Sequence, residues 1–255
     1  MLTYLNDSAL KQALLDQLSI HEQQDQFVKG TYARMNGQFR GCAIGCALHS
    51  LNILQGKTDL RWATDQHARY ETELGLPTWL AYLEDHIFER LPDVESRTWP
   101  RRFAEAIPVG AVVDHRTLAQ ILRWGLADPT HGARHTTNEA AIVAIVDQMI
   151  ALFDRAIAGQ SPSDTEWHEA ALAAWTAGTA GTRAVWAPRG PGDAARAAWA
   201  AWAAWVARDA ARAARDAARA ARDAARAARD AFYVALSDYL LDLLRGLPVH
   251  APAVV

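Results

Sequence analysis

Apolar side chains recur along this chain at spacings of three and four, and nearly every segment they mark out predicts a helix. Leu10, Leu14, Leu15 and Leu18 form the buried face of a first helix, capped by Asp7 or Ser8 and running to about Lys29 before stopping at Gly30. Asn36-Gly37 marks a turn, and Gly41 begins a second, strongly apolar helix that Gly56 ends. Thr58 caps a third through Trp62, His67, Tyr70 and Glu71 to Gly75. Pro77 opens a fourth through Trp79 and Phe88, closed before Pro92, and Pro100 opens a fifth through Phe103 to Ala106. Leu118, Ile121, Leu122 and Trp124 mark a sixth. The clearest pause is Asp128-Pro129-Thr130-His131-Gly132. From Asn138 to about Ala158 the chain is rich in β-branched residues, yet Met149, Leu152 and Phe153 continue at helical spacing, so this segment also predicts a helix. Ser163 and Glu166 form a capping-box pair for the next, which frays at Gly178 and Gly181.

The last segment has a different pattern. From Asp193 to Arg245 there is no glycine or proline, and alanine, the strongest helix former, dominates. A seven-residue unit, Arg208-Asp209-Ala210-Ala211-Arg212-Ala213-Ala214, recurs through Arg229-Asp230 and gives one alanine strip and one Arg/Asp face. About 50 such residues predict a rod roughly 75 Å long. Close approach along the alanine strip predicts a homo-oligomer through the 193–246 helix. The fold class is therefore all-α: a multi-helix N-terminal body followed by helices ending in one long Ala-rich helix. Three parts are expected: a helical domain over 1–130, connecting helices over 131–192, and the Ala/Arg/Asp heptad-repeat helix over 193–246.

Composition changes this picture only at the edges. The 255 residues suffice for one large domain or two small ones. No apolar run approaches the roughly 18 residues of a membrane span. Asp7, Lys11 and Asp16 interrupt the first 20 residues, so no secretory signal is expected and a cytoplasmic location is. Two cysteines in a chain this long make no disulfide framework. A formal charge of −3 gives no reason to expect nucleic acid or an anionic membrane as partner.

Candidate chemistry centres on the second helix. Cys42, Cys46 and His49 fall at i, i+4 and i+7 on one stripe, beside Gly41 and Gly45, which would let another backbone come close. Cys42 in the first turn would gain from the helix dipole, and from Arg40 folding back, and so be the nucleophile; Cys46, a turn deeper, suits a core or resolving role. The catalytic candidates are Cys42, His49 and Glu84, the last on the apolar face of the fourth helix and needing a partner such as Arg40 or His67. The same thiols also fit a metal, zinc or iron, with Cys42, Cys46, His49 and His21 as ligands and His67 as a further donor. His21 and Asp25 share a stripe in a pattern close to H-E-x-x-H, which a solvated helix face also explains. A polar Cys/His/Glu site acting through a thiolate or a bound metal is the first functional expectation, with no reaction or cofactor fixed. The alternative is a non-enzymatic interaction protein whose long helix mediates self-association and whose cysteines are core, since free cysteine is among the most buried residue types.

Four stretches also carry a resemblance: Lys29-Gly30-Thr31-Tyr32; the Arg40-Gly41-Cys42 to Gly45-Cys46 run ending at His49; Tyr70-Glu71-Thr72-Glu73-Leu74-Gly75-Leu76-Pro77; and Leu83 to Pro92. Together, over roughly residues 15–130, they resemble a group of uncharacterised bacterial and phage-borne proteins. The resemblance implies that residues 1–130 are the defining unit and that the Ala-rich tail is appended. It implies no catalytic residue.

Overall fold

The computed structural model describes residues 1–57, 66–136, 138–178 and 219–249. It is all-α but for one hairpin: among these residues nine α-helices accompany a two-stranded antiparallel sheet. The chain forms two compact units, Met1–Asp114 with Tyr233–Val255, and His115–Phe232. No described helix is long and apolar enough to cross a membrane.

The first unit is built around helix α2 (Ala43–Leu54), most of whose residues are buried, including Ile44, Cys46, Leu48 and Leu51. Helix α1 (Ser8–Gln23) packs Leu14, Leu18 and His21 inward, and the Asp7 carboxylate accepts from the Ala9 and Leu10 N–H groups at its start. It ends six residues before Lys29, because Asp25 turns into the left-handed region and Phe27 then bridges to Gly41. The chain continues as β1 (Ala33–Asn36) and β2 (Gln38–Gly41), with Gly37 at φ +79° in the tight turn anticipated at Asn36-Gly37. The hairpin itself was not anticipated. Arg34, Met35 and Gln38 on its exposed positions carry no apolar alternation to announce it.

Three further helices close the unit: α3 (Arg69–Leu74), α4 (Thr78–Arg90) and α5 (Asp93–Ala106). Pro100 does not open α5 but lies within it; the helix starts after Pro92, with Asp93 and Glu95 in its first turn where acidic groups oppose the macrodipole. Trp99 is fully buried and donates its indole N–H to the Glu84 carbonyl, locking α5 onto α4. The end of the C-terminal helix α9 (Arg219–Arg245) belongs to this unit from Tyr233 onward. There Leu236, Leu240, Leu241 and Leu244 are wholly buried, Asp238 pairs with Arg102 at 3.1 Å, and Tyr233 meets His86 and Arg90.

One strained turn stands out at the N-terminus. Tyr4, Leu5 and Asn6 all have φ near +55°, a left-handed conformation costly for side chains with a Cβ. The Tyr4 hydroxyl donates to the Ala104 carbonyl at 2.6 Å, and Thr3 N–H donates to the Ala111 carbonyl at 2.9 Å, fixing both flanks. Leu5 is half exposed and has little packing to lose. Leu5→Gly is therefore expected to raise unfolding stability by about 1 kcal/mol, measured by urea titration; an unchanged or lower stability would refute strain at this turn.

The second unit contains α6 (His115–Ala127), α7 (Ala140–Ile157), α8 (Asp164–Gly178) and the first part of α9. Leu118, Ile121 and Leu122 of α6 are buried, as are Val146, Met149 and Phe153 of α7, so packing overrides the β-branched propensity of residues 142–146. The Ser163–Glu166 capping box forms: Ser163 N–H donates to the Glu166 carboxylate at 2.7 Å, and Glu166 N–H donates to Ser163 Oγ at 3.3 Å. The start of the expected third helix at Thr58 lies outside the described residues, as do the tryptophan-rich segment and the repeat before residue 219.

A candidate metal centre at the start of helix α2

Backbone hydrogen bonds place Cys42. Gly41 N–H donates to the Gln26 carbonyl at 3.0 Å, Val28 N–H to the Gly41 carbonyl at 2.8 Å, and Cys42 N–H to the Thr31 carbonyl at 2.7 Å. The loop over residues 26–32 is thus stitched across the end of β2. Cys42 becomes the N-cap of α2 rather than a residue of its first turn, with Sγ 3.9 Å from the Tyr32 carbonyl oxygen.

That position does not produce a thiolate. Cys42 is only 2 % exposed. Burial drives its thiol pKa far up, the neighbouring Asp85 carboxylate drives it further, and the Gly45 N–H at the helix start opposes this only in part. Arg40 sits on β2 opposite Arg34. Without a cation beside it, Cys42 is a protonated thiol.

Two carboxylates meet it from α4. Among the described residues, one set of three thiol, imidazole or carboxylate donors has its atoms within 4.8 Å of one another: Cys42, Asp85 and Glu89. Asp85 and Glu89 are one helical turn apart and so share a face. Glu89 accepts from the Gly30 N–H through both oxygens, at 3.0 and 2.9 Å; burial, then the nearby Asp85, push its carboxyl above the usual range against that bond. Lys29 binds the Leu91 carbonyl and pairs with Asp93 at 2.9 Å, tying the same loop to the end of α4. Asp85 Oδ1 is buried with no hydrogen-bond partner, while Oδ2 lies 3.8 Å from Nε2 of His67.

The other candidates are distributed differently. His21 and His49 form a pair of their own: His49 Nδ1 is 3.4 Å from His21 Nε2, which also contacts Ser50 Oγ at 3.1 Å, and His21 Nδ1 contacts Gln26 Oε1. The His49 ring stacks on Phe39 at 3.8 Å and 6°. Burial lowers both imidazoles, His49 to a pKa of about 4, so the pair is neutral at pH 7. Cys46 points into the core, with Sγ 3.5 Å from the Gly41 carbonyl and 3.7 Å from that of Gln26, and burial raises its thiol well above the usual range. Asp25 faces Arg97 at 3.5 Å on the surface. Cys42, Cys46, His49 and His21 are therefore not gathered around one point.

Glu84 is 2 % exposed and lies next to Asp85 on α4, about 100° further around the helix, close enough for the Asp85 charge to act on it. Tyr70 donates its hydroxyl to it, Oε2 has no partner, and burial holds the carboxyl well above its usual range. The apolar neighbours that single out Glu84 in the sequence are what make it a neutral core acid. The signal for the other two carboxylates was the i, i+4 pair Asp85 and Glu89, on the face Glu84 does not occupy. What no local pattern gives is the loop 26–32 that brings this face to Cys42.

No protein-family model, curated protein or solved structure matches the chain.

Proposed function

We propose that the first unit binds a divalent cation through Cys42, Asp85 and Glu89, and that the protein acts through this bound metal rather than through a free thiolate. The observation that carries this reading is the convergence of one buried thiol and two carboxylates within 4.8 Å, with a buried, unpartnered oxygen on Asp85. Three acidic groups this close repel one another when ionised. At 4.8 Å and an effective dielectric of 20, each pair of unit charges costs about 3.5 kcal/mol. A divalent cation between the three attracts each of them and outweighs their mutual repulsion, and it favours the thiolate that burial alone forbids. The same burial argues against an uncomplexed Cys42 nucleophile.

Elemental analysis of the purified full chain, followed by zinc titration of the metal-stripped protein, tests the proposal. One equivalent bound per chain is expected. At a free zinc concentration of 100 times Kd, stability should rise by about 2.7 kcal/mol. Cys42→Ser and Asp85→Asn should each abolish most of that gain. Zinc that stabilises the wild type and both variants equally would place binding elsewhere and end this reading. A cytoplasmic location and self-association through the 193–246 helix complete the proposal. Sedimentation of the full chain against a version lacking residues 207–230 tests the association, which fails if both remain monomers over a wide concentration range.

A further inference from the structure

We propose that Arg34 and Arg40 on the hairpin form an anion site for a phosphomonoester, the dianionic group of free phosphate or of a phosphorylated small molecule. This inference is independent of the cation reading above and goes beyond it.

The strand register puts the two guanidinium side chains together. Arg34 of β1 lies directly opposite Arg40 of β2, so both leave the same face of the ribbon, with Cβ atoms roughly 4.5–5.5 Å apart. The next pair, Met35 opposite Phe39, takes the other face, where Phe39 is buried and stacks on the His49 ring. Slipping the register by one residue would turn Phe39 out, so burial of that ring holds both arginines on the outer face. Beyond Arg40, Gly41 pairs with Ala33 on one side and bonds to the Gln26 and Val28 backbone on the other. The strand that carries Arg40 is thus anchored along both edges.

Like charges directly opposite one another destabilise a strand pair. Elsewhere in this unit arginines are offset. Arg69, Arg97, Arg101, Arg102 and Arg245 each meet a carboxylate, and Arg90 meets the His86 carbonyl and the Tyr233 ring. Neither the Arg34 nor the Arg40 side chain has an ion pair or hydrogen bond among the described residues. Arg34 is exposed, but Arg40 is half-buried, so its charge is partly out of water with no anion beside it. Two adjacent, uncompensated cations on an anchored ribbon are what a shared anionic ligand would neutralise.

The fork geometry selects the class of that ligand. Each guanidinium presents parallel N–H groups to a pair of oxygens, so a single fork already satisfies a carboxylate. Two forks and two positive charges match the oxygens of a phosphomonoester and its charge of about −2. A phosphodiester carries one negative charge and leaves one guanidinium uncompensated.

Calorimetric titration of the metal-stripped full chain at low ionic strength tests this, since phosphate then has no cation to bind through. Inorganic phosphate and phenyl phosphate should each saturate one site, with dimethyl phosphate at least about tenfold weaker. Phenyl phosphate binding tighter than inorganic phosphate would assign the site to a phosphorylated molecule, and the reverse order to the free ion. Arg34→Gln and Arg40→Gln should each weaken phosphate binding about tenfold or more, and Arg40→Lys, which keeps the charge but loses the fork, should not restore it. In the wild type, two arginine Nε–H resonances should shift together on adding phosphate, a readout that needs no variant to fold. Without phosphate, both glutamine variants should be at least as stable as the wild type in urea, because they remove a like-charge contact. Absence of saturable phosphate binding, or equal binding in wild type and both glutamine variants, would overturn the proposal. So would a diester that binds as tightly as the monoester, or a loss of stability in the glutamine variants without phosphate, which would make the arginines structural.

Discussion

Replacing Gly45 by alanine should unfold the first unit or cost it about 3 kcal/mol, the upper range for overpacking a closed core. A Cβ at Gly45 would overlap the Tyr32 carbonyl oxygen and lie 2.9 Å from its carbon. Neither atom can swing aside as a long side chain would, because Thr31 accepts the Cys42 N–H and Gly41 is bonded on both sides to the loop. Gly41 meets the same carbonyl, its Cβ falling 2.6 Å from Tyr32 O, so one backbone segment passes over two successive glycines. Gly45→Ala should therefore lose zinc binding together with thermal stability, since the loop that positions Cys42 also holds Glu89 through Gly30. Thermal denaturation and zinc titration of the variant provide the check. A well-folded Gly45→Ala protein with unchanged metal affinity would mean that loop and helix do not make this approach.

The same glycines explain which parts were legible in advance. Helices with a continuous apolar face, such as α4 with Leu80, Leu83 and Ile87 or α6 with Leu118, Ile121 and Leu122, follow from periodicity because burial is what the periodicity encodes. Gly41 and Gly45 signalled a close backbone approach, but not by what. The approaching segment is an irregular loop whose hydrogen bonds run through main-chain atoms, and these leave no side-chain pattern. For that reason the sequence marks Cys42 as chemically distinctive without showing which groups surround it. Cys46 and His49 share its helix stripe, but Asp85 and Glu89 reach it across the fold. Reading Pro100 as a helix start failed for another reason. A proline is tolerated within α5 because Trp99 and Phe103, on either side of it, are anchored in the core.

Glu84→Gln should make the protein more stable at pH 8 and leave it nearly unchanged at pH 4. Burial raises the native Glu84 pKa above its unfolded value, so the group contributes fully below about pH 4.3. As pH rises above that value the unfolded chain loses the proton while the native one keeps it. Stability then falls by up to about 1.4 kcal/mol per pH unit until the native carboxyl also ionises. Glutamine keeps the Tyr70 hydrogen bond and the neutral charge, and removes this slope. Histidines act in the opposite sense. His49 and His86, lowered by burial to about 4 and about 3, resist protons that the unfolded chain accepts below about pH 6.5, so acidification below that point also destabilises the fold. Wild-type stability should thus bend downward on both sides, and Glu84→Gln should flatten only the alkaline side. Urea titrations at pH 4, 6 and 8 measure this directly. Parallel curves for the two proteins would show that Glu84 titrates alike in the native and unfolded chains.

The return of Tyr233 to Arg245 into the first unit also sets an order of events during synthesis. Leu236, Leu240, Leu241 and Leu244 have no exposed surface in the native structure, so the core they fill stays incomplete until residues 115–232 have been translated. At about 5–20 residues per second that is a delay on the order of 10 s. Through this interval α2, with Cys46 and its N-cap Cys42, waits in a body whose final apolar layer has not yet left the ribosome.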